Sequence, residues 1–499
     1  MLYETLKEVS GKGLPTSGLL QAGKFTSYPD VAERAGRIAT GLVERGIEKG
    51  TPVGVLMVNG PDLLTLAYAI FAAGGVAVPL NALAPRAELA MTARKAHVKA
   101  VIASAPYAEA GANLIADLGG AGRFPLFVSG GTGRDAVTEL ERTPLGRLPV
   151  MGPDDAALYM FSSGSTGIPK VVPHTHGELD FDSRRGRERG NTLPTDIQIN
   201  MMPGSHAMGF LSALYTATAN ATTFYWSDPQ PFTFSKGRFA QAIDENKVTL
   251  LMGVPFMFDA LAALKEEVSF STLRKVQSGA IALREETFNN FKARYGKDIG
   301  QSYGSTECLA ISINNDTTDP GWTWDSVGKP VDGLQLWIEP VENPFGPRYG
   351  EVVVSAPWVT KGYLDAPESN SSTIRDGKFY TGDLGGLGDN GHLYIKGRLK
   401  LLIEVAGHKV DPYEVEEVLL HHPAVGEVCV VGVKDPRTVG GQLLKAVVVR
   451  KEDVAADTLV RYCRERLSSE KVPGIVEFRD ELPKSAAGKV LRGKLMETA

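Results

Sequence analysis

The sequence predicts an α/β protein with a large N-terminal domain of doubly wound sheets, a small antiparallel unit, and an α+β C-terminal domain. Short apolar runs alternate with helical patterns over roughly the first 300 residues, which is typical of parallel sheets covered by helices. From residue 350 the runs become short alternating strands separated by turns. Beyond residue 400 helices and strands mix again, over a module of about 100 residues that is large enough to fold alone. We therefore predict domains at 1–399 and 400–499.

The first predicted helix spans residues 29–50. Its apolar residues recur every three or four positions from Val31 to Val43, and Gly46 and Gly50 end it. Strands are predicted at 53–58, 76–80 and 100–103, with an apolar helix at 63–73. This alternation favours a parallel sheet.

The same alternation continues along the chain. Further strands are predicted at 156–161, 197–202, 248–252, 276–280, 299–303, 351–355, 391–395, 428–432 and 444–449, and further helices at 284–294, 414–419 and 458–467. His174 and His176 are close in sequence, but no third metal ligand lies nearby, so we interpret them as a polar strand end. The basic stretch at 184–189 is interpreted as a solvated helix face.

A glycine- and hydroxyl-rich stretch, Phe-Ser-Ser-Gly-Ser-Thr-Gly-Ile-Pro-Lys, occupies residues 161–170 and follows an apolar run. Glycines let the main chain turn tightly and let a ligand approach its N–H groups. Together with the hydroxyls and the lysine, such N–H groups suit a triphosphate. The spacing differs from a Walker loop, in which Gly-Lys is followed by Ser or Thr. The alternative, a solvated linker, is disfavoured by the Ile-Pro-Lys end and the apolar run after it.

The composition is that of an ordinary globular protein, with 43% hydrophobic and 22% charged residues among 499. A formal net charge of −5 gives no reason to expect nucleic acid or an anionic membrane as a partner. The three cysteines, Cys308, Cys429 and Cys463, have no paired spacing, so we expect neither a disulfide framework nor a zinc site, and a cytoplasmic protein. The N-terminus lacks a signal-peptide core, and no apolar run is long enough to span a bilayer.

Five stretches, in this order, resemble the adenylate-forming superfamily of acyl-CoA synthetases, peptide-synthetase adenylation domains and beetle luciferases. They are the loop at 161–170, Tyr-Gly-Ser-Thr-Glu at 303–307, Tyr-Thr-Gly-Asp at 380–383, Gly-Arg-Leu-Lys at 397–400, and Pro-Lys-Ser-Ala-Ala-Gly-Lys at 483–489. Each stretch alone is a weak signal. Their order and intervals cover nearly the whole chain and are specific.

The resemblance implies an ATP and Mg²⁺ site. The implied phosphate-loop residues are Ser162, Ser163, Gly164, Ser165, Thr166, Gly167 and Lys170. Tyr303 is implied to lie against adenine and Thr306 near the α-phosphate, while Glu307 and Thr166 are the implied metal ligands. Asp383 and Arg398 are implied contacts of the ribose or a phosphate. The alternatives are an N-capping Thr at a strand end for 303–307 and surface charges for Asp383 and Arg398.

The resemblance also implies an acyl pocket gated by His206, for which the alternative is a satisfied structural histidine. The implied pocket residues are Met208, Gly209, Phe210, Val254, Phe256, Ser278, Gly279, Ala280 and Gly304. Their apolar character predicts a carboxylic acid with a hydrophobic body. Ala207 stands where amino-acid-activating relatives carry Asp, which disfavours an α-amino acid.

In the C-terminal domain, Lys489 matches the mobile lysine that meets the substrate carboxylate and the α-phosphate, although a surface lysine is the simpler alternative. Lys400 matches the hinge, and Gly407 matches the glycine that lines the pantetheine tunnel. Glu404 departs from luciferases, which carry Lys there, so an oxidative, light-emitting second step is disfavoured.

The resemblance therefore implies an acyl-CoA synthetase that uses ATP, Mg²⁺ and coenzyme A to convert a small carboxylic acid into acyl-AMP and then a thioester. One alternative is a stand-alone enzyme that loads the phosphopantetheine of an acyl carrier protein. Another is a non-catalytic nucleotide-binding regulator, which the presence of Lys489, Glu307 and Asp383 disfavours. The choice between aryl and medium-chain aliphatic acids stays open at this point.

Overall fold

The fold was analysed in a computed structural model of the chain. It describes residues 1–12, 17–120, 122–162, 169–226, 232–405, 408–434, 442–484 and 490–496. Within these ranges, none of the helices combines the length and the apolar character that crossing a membrane requires.

The described helices include those that the apolar spacing predicts. They are α1 Leu2–Lys12, α2 Tyr28–Glu44, α3 Pro61–Ala72, α4 Arg86–Lys95, α5 Ala108–Asp117, α6 Val137–Glu141, α7 His176–Arg189, α8 Ala207–Thr218, α9 Phe232–Glu245, α10 Pro255–Ala262, α11 Glu285–Tyr295, α12 Pro367–Thr373, α13 Pro412–Leu420 and α14 Ala456–Arg464. The predicted helix at 29–50 is confirmed as α2, which Ser27 caps by accepting a hydrogen bond from the Asp30 N–H.

The described strands confirm the predicted apolar runs. They are β1 Gly18–Gln21, β2 Lys24–Ser27, β3 Pro52–Leu56, β4 Val76–Leu80, β5 Ala100–Ser104, β6 Leu126–Ser129, β7 Ala156–Ser162, β8 Lys170–Thr175, β9 Ile197–Asn200, β10 Thr222–Tyr225, β11 Leu250–Gly253, β12 Lys275–Ser278, β13 Ile299–Ser305, β14 Leu309–Asn314, β15 Lys329–Pro330, β16 Gln335–Pro340, β17 Gly350–Ser355, β18 Ile374–Arg375, β19 Lys378–Leu387, β20 Leu393–Arg398, β21 Ile403–Val405, β22 His408–Val410, β23 Val425–Lys434, β24 Gln442–Arg450 and β25 Ile475–Phe478.

The chain divides into two compact units. Within the described ranges, the first contains Met1–Ser163, Pro169–Gln335 and Val354–Phe379, and the second contains Leu336–Val353 and Tyr380–Ala499. Lys400 lies inside the second unit, in a short 3₁₀ turn at Leu399–Leu401. The functional boundary at residue 400 stays a prediction.

The first unit contains two mainly parallel sheets. In one, the described strands lie in the order β6-β5-β3-β4-β7-β8, and only β8 pairs antiparallel with its neighbour. In the other, the order is β15-β14-β13-β12-β11-β9-β10-β1-β2, with antiparallel pairs at its two ends. The predicted doubly wound arrangement is confirmed.

Helices cover both faces of each sheet. One core holds Leu42 of α2, Phe71 of α3 and Leu214 of α8 against Val53 and Tyr225, one from each sheet. Another core packs α9, α10 and α11 on the outer face of the sheet that contains β9–β13. A third packs α4 and α5 on the outer face of the sheet that contains β3–β5. The first unit is therefore built in five alternating layers of helices and sheets.

The second unit is α+β, as predicted. Strand β24 pairs antiparallel with β23 and parallel with β25. Val415 of α13 and Leu459 of α14 pack on one face of this sheet, and Leu482 and Leu495 pack on the other. Strand β20 pairs antiparallel with β19, which confirms the predicted antiparallel unit.

The basic stretch at the end of α7 is only partly a solvated helix face, and that interpretation is wrong for Arg189. The Arg189 side chain is only 9% exposed and lies 3.2 Å from the carboxylate of Asp182, which is fully buried. Tyr215 also donates a hydrogen bond to Asp182. The guanidinium of Arg189 lies 5.7 Å from the centre of the buried Trp358 ring. Arg184, with a side chain 46% exposed, fits the prediction.

We predict that Asp182→Ala destabilises the protein by about 3–5 kcal/mol, because it leaves the Arg189 guanidinium buried without its counter-charge. The change is measured as the shift of the urea midpoint. Glu33→Ala is the matched control, since the Glu33–Arg37 pair is also helical but exposed, and its loss costs at most about 0.5 kcal/mol. Equal shifts for the two variants would contradict the prediction.

The two histidines lie at the end of β8 and the start of α7, as expected for a polar strand end, but both side chains are buried. His174 and His176 are 1% and 0% exposed. Neither ring nitrogen of His176 has a hydrogen-bond partner among the described residues, and the ring packs edge-to-face on Phe71 at 5.7 Å. Burial lowers the pKa of His176 to about 4, against the opposing effect of Asp155 and Asp180.

Because the pKa of His176 is lowered, we predict that the free energy of unfolding falls in acid. Its folded pKa lies below the unfolded value near 6.5, so its contribution is present above pH 6.5 and is lost as the pH falls to about 4. The total loss is roughly 3 kcal/mol. His176→Leu should flatten the decline of the urea midpoint over this range, whereas His421→Gln, at an exposed position, should not. An unchanged slope in His176→Leu would refute the assignment.

Candidate active site

The candidate site residues of the first unit gather at one edge of a sheet. Strands β9, β11, β12 and β13 run parallel, so their carboxyl ends lie at the same edge, where ligands of open α/β sheets bind. The candidates that follow these strands or stand at their ends are His206, Met208, Gly209 and Phe210 after β9; Val254 and Phe256 after β11; Ser278, Gly279 and Ala280 at β12; and Tyr303, Gly304, Thr306 and Glu307 at β13.

Met208 and Gly279 meet directly at this edge. A Cβ on Gly279 would lie 2.7 Å from the Met208 Cε, so the position accepts only glycine while Met208 stays in place. The Gly279 N–H donates to the Gly253 carbonyl at 3.1 Å. Ala280 then has a φ of +65°, and the Ile281 N–H donates back to the Gly279 carbonyl at 2.8 Å. The turn after β12 is therefore tight and strained.

The other pocket candidates differ in exposure. Phe210 and Val254 are 2% and 1% exposed and belong to hydrophobic cores. A Cβ on Gly209 would lie 2.4 Å or less from the carbonyl oxygens of Met202 and Pro203, so this glycine lets α8 start close to the chain before it. Phe256 is 46% exposed. Whether each residue contacts the acyl group stays a prediction.

His206 caps helix α8. Its Nδ1 accepts a hydrogen bond from the Met208 N–H at 3.3 Å. Because Nδ1 is the acceptor, a neutral ring carries its proton on Nε2, which is then a donor. The N-terminus of a helix also favours an anion. This end of α8 therefore combines two features that suit a carboxylate.

Residues 303–307 form the end of β13 and the turn after it. A bulge lies between Tyr303 and Gly304, where a Cβ would sit 2.1 Å from the Leu309 carbonyl oxygen. The His174 Nε2 donates to the Thr306 carbonyl at 2.8 Å. This bond connects the segment to β8, in the other sheet of the first unit.

Strands β7 and β8 form a hairpin whose last described pair is Ser162 opposite Lys170. The phosphate-loop candidates Ser163, Gly164, Ser165, Thr166 and Gly167 lie outside the described residues. Strand β8, which follows these residues, ends the described strand order of its sheet.

Lys170 and Glu307 share a neighbour, Tyr363. The Lys170 Nζ lies 4.7 Å from the centre of the Tyr363 ring. The Tyr363 hydroxyl donates to the Glu307 Oε1 at 2.9 Å. Glu307 is 9% exposed, and its carbonyl accepts from the Thr360 N–H at 2.8 Å.

The surroundings of Glu307 fit a magnesium ion. Its hydrogen bond from Tyr363 comes from a neutral donor, so this bond does not offset the negative charge of the carboxylate. A carboxylate has about four lone-pair positions, of which this bond uses one. A hard cation that bridges phosphates and a carboxylate is the usual magnesium mode. Glu307 would hold Mg²⁺, which neutralises phosphate charge when bound.

In the second unit, Asp383 and Arg398 stand directly opposite each other on β19 and β20. The Arg398 Nε donates to the Asp383 Oδ1 at 2.5 Å. Asp383 is 6% exposed, and its N–H donates to the Thr381 Oγ, which itself donates to the Val352 carbonyl. The carboxylate is thus fixed by strand pairing.

The remaining C-terminal candidates are only partly placed. Gly407 and Lys489 lie outside the described residues, and Glu404 is exposed on β21. On either side of Lys489, Lys484 and Val490 form an antiparallel bridge. Close by in sequence, the Arg492 Nη1 lies 2.7 Å from the Glu416 Oε1, with both side chains largely buried. The described residues on both sides of Lys489 are therefore held by strand pairing and by a largely buried ion pair.

Three residues that contribute to these arrangements were missed in the sequence: His174, Tyr363 and Arg492. At His174 the sequence pattern indicates only a strand end. Tyr363 lies 56 residues from Glu307 and 193 from Lys170, and a single sequence carries no signal for such contacts. Arg492 follows the last motif by three residues and reads as one more surface cation.

Comparison with known proteins identifies the family. Residues 13–364 match the AMP-binding enzymes, and residues 414–489 match the C-terminal domain of AMP-binding enzymes. A feruloyl-CoA synthase of an Amycolatopsis species is 32% identical over 480 residues, which cover 95% of this chain and 94% of that protein.

Solved structures of similar proteins support the same family. ATP-bound MatB from Rhodopseudomonas palustris has a TM-score of 0.87 and 27% identity, and the match covers 99% of this chain and 98% of that chain. O-succinylbenzoate coenzyme A synthetase (MenE) from Bacillus subtilis, in complex with ATP and magnesium ion, has a TM-score of 0.84 and 25% identity, with 99% of each chain covered. This chain belongs to the AMP-binding enzymes of the adenylate-forming superfamily, and it is an AMP-forming carboxylate–CoA ligase that uses ATP, Mg²⁺ and coenzyme A.

Proposed function

We propose that this ligase acts on a carboxylic acid whose body is apolar and carries no second charge. The observation that carries the proposal is the N-terminus of α8, where His206 caps the helix and Ala207 and Met208 follow it. A carboxylate is favoured there by the helix N-terminus and by an imidazole N–H. The apolar side chains beyond it offer nothing to pair with a second charge.

The reaction has two steps. A carboxylate oxygen of the acid attacks the α-phosphorus of ATP, the bond to pyrophosphate breaks, and acyl-AMP forms. The sulfur of coenzyme A then attacks the acyl carbon, the bond to AMP breaks, and the thiol proton is released. The products are acyl-CoA, AMP and pyrophosphate.

The nucleotide roles proposed for the first unit rest on chemistry and on the arrangement of the described residues. Lys170 contacts the β- and γ-phosphates, together with loop residues 162–167. Tyr303 lies against adenine, and Thr306 contacts the α-phosphate. Glu307 holds the metal ion, with Thr166 as a second ligand. The buried bond from His174 supports this set by fixing the carbonyl of Thr306.

The second unit supplies the remaining proposed contacts. Asp383 accepts hydrogen bonds from both ribose hydroxyls, since a carboxylate has lone pairs for two such bonds beside that from Arg398. Lys489 offsets the charge that builds up as the carboxylate attacks phosphorus. Gly407 leaves space for the pantetheine arm, and Lys400 acts as a hinge between the two steps.

The body of the acid can be aromatic or aliphatic under this proposal. Phe232 packs edge-to-face on Phe256 at 6.0 Å and on Phe239 at 5.4 Å, so the exposed pocket candidate Phe256 lies beside a partly buried aromatic ring. The feruloyl-CoA synthase relative acts on an aromatic acid by its name. We place the enzyme in the cytoplasm, where its three buried thiols stay reduced.

We predict that pyrophosphate release is faster with deaminated aryl or medium-chain acids than with the matching α-amino acids. The reason is that an ammonium group beside Ala207 and Met208 has no carboxylate to pair with. The measurement is pyrophosphate release over a panel of acids, each with coenzyme A, with a phosphopantetheine carrier protein, and with neither. Preference for the amino acids would refute the apolar pocket, and turnover with the carrier protein alone would replace coenzyme A as acceptor.

We also predict that the two steps separate by mutation. Lys489→Ala should slow acyl-AMP formation by roughly 10²–10³ and spare thioester formation from supplied acyl-AMP, because the lysine acts only while phosphate charge builds up. Gly407→Leu should do the reverse, because its side chain fills the pantetheine path. Single-turnover assays of each step measure both effects.

Lys484→Ala is the matched control for Lys489. Lys484 lies in the same segment, but its side chain is 41% exposed and pairs with Glu427 at 2.6 Å. It should leave both steps unchanged. If Lys489→Ala slows both steps equally, Lys489 does not have the step-specific role proposed for it.

A further inference from the structure

We propose that Tyr363 is a positioning residue that holds the metal-binding carboxylate and the phosphate-binding ammonium in one fixed arrangement. The inference rests on the roles proposed above for Glu307 and Lys170. It adds a residue outside the sequence motifs, on a segment that none of them covers.

The ring of Tyr363 contacts the two opposite charges through different parts. Its hydroxyl donates to the Glu307 Oε1 at 2.9 Å. Its π face attracts the Lys170 ammonium, which lies 4.7 Å from the ring centre and within the range of a cation–π contact. One rigid side chain therefore fixes the spacing of a carboxylate and an ammonium that otherwise depend on long, flexible side chains.

Tyr363 is itself held firmly. The side-chain amide of Asn370 forms two bonds with its backbone, accepting from the Tyr363 N–H at 2.7 Å and donating to its carbonyl at 2.9 Å. The next residue, Leu364, donates its N–H to the Val171 carbonyl at 3.0 Å. Tyr363 is 8% exposed, so water competes little for its hydroxyl. The bond from Leu364 attaches this segment to β8, next to Lys170, and the bonds with Asn370 attach it to α12.

The phenol of Tyr363 is neutral, and it can therefore orient the metal-binding carboxylate of Glu307 without offsetting its charge. A cation that orients Glu307 by a direct ion pair would offset the charge that a metal ion needs. A hydroxyl orients one oxygen and leaves the net charge of the carboxylate unchanged. Groups that orient a metal ligand in this way typically contribute 10- to 100-fold to metal affinity.

Two variants separate the two contacts. Tyr363→Phe removes the hydroxyl and keeps the ring, so ATP binding in the presence of Mg²⁺ should weaken about 10-fold. Binding of ATP in EDTA should change less than about twofold, because the ring still contacts Lys170. Tyr363→Leu removes both contacts and should weaken ATP binding with and without Mg²⁺. Isothermal titration calorimetry on the full chain measures each affinity, and the Mg²⁺ dependence of pyrophosphate release provides a second readout.

Tyr295→Phe is the matched control. It also removes a buried hydroxyl, which donates to the Leu261 carbonyl at 2.7 Å on another helix, and should change neither affinity. If Tyr363→Phe does not fold, Asn370→Ala removes the clamp without touching the ring. Because the clamp positions both contacts of the ring, Asn370→Ala should weaken ATP binding with and without Mg²⁺, as Tyr363→Leu does, and an unchanged affinity would count against the proposal.

Glu307→Gln distinguishes failure of this inference from failure of the proposed function. If Glu307→Gln leaves the Mg²⁺ dependence unchanged, Glu307 is not the metal ligand, and the proposed function of that residue is wrong. If Glu307→Gln raises the Mg²⁺ requirement but Tyr363→Phe does not, the positioning role of Tyr363 is overturned. Equal weakening by Tyr363→Phe with and without Mg²⁺ would also overturn it.

Discussion

The hydrogen bond from His174 to the Thr306 carbonyl connects the two sheets of the first unit at the candidate site. Its partners are 132 residues apart in sequence, one on edge strand β8 and the other beyond the end of β13. His174 is 1% exposed, so the bond lies in a low-dielectric environment where losing it would leave a buried carbonyl without this partner. The spacing between the base of the phosphate loop and Glu307 depends on this bond and on Tyr363. Both His174 and Tyr363 lie outside the loop at 161–170.

The two carboxylates assigned to ATP are held by different kinds of partner. Asp383 pairs with the guanidinium of Arg398, whose side chain is 45% exposed, whereas Glu307 accepts from the neutral hydroxyl of Tyr363. Ribose hydroxyls are neutral donors, so a carboxylate that already has a cationic partner still accepts from them. A divalent cation interacts most strongly with a carboxylate whose charge is not offset. The partners therefore match the different ligands proposed for Asp383 and Glu307.

Periodicity was sufficient to predict the architecture, and the order of the motifs was sufficient to predict the family. The roles of the candidate site residues stay predictions. The apolar spacing of α2 and the alternation of strands and helices reflect each element's own buried face, which local sequence encodes. Contacts across elements are not encoded in this way. The burial of Arg189 depends on Asp182, two turns earlier on α7, and on Trp358 from a distant segment. The rings of His176 and Tyr363 likewise depend on neighbours that no local pattern specifies.

The pairing of Asp383 with Arg398 depends on the length of the turn between β19 and β20. Asp383 faces Arg398 because the two strands are joined by residues 388–392 in one particular register. Side chains alternate between the faces of a sheet, so a shift of one residue would turn one of these side chains to the opposite face. Because Asp383 is proposed to bind the ribose, we expect an insertion or deletion in this turn to weaken nucleotide binding without replacing Asp383 or Arg398. Among related ligases, this short connection should tolerate changes of composition far better than changes of length.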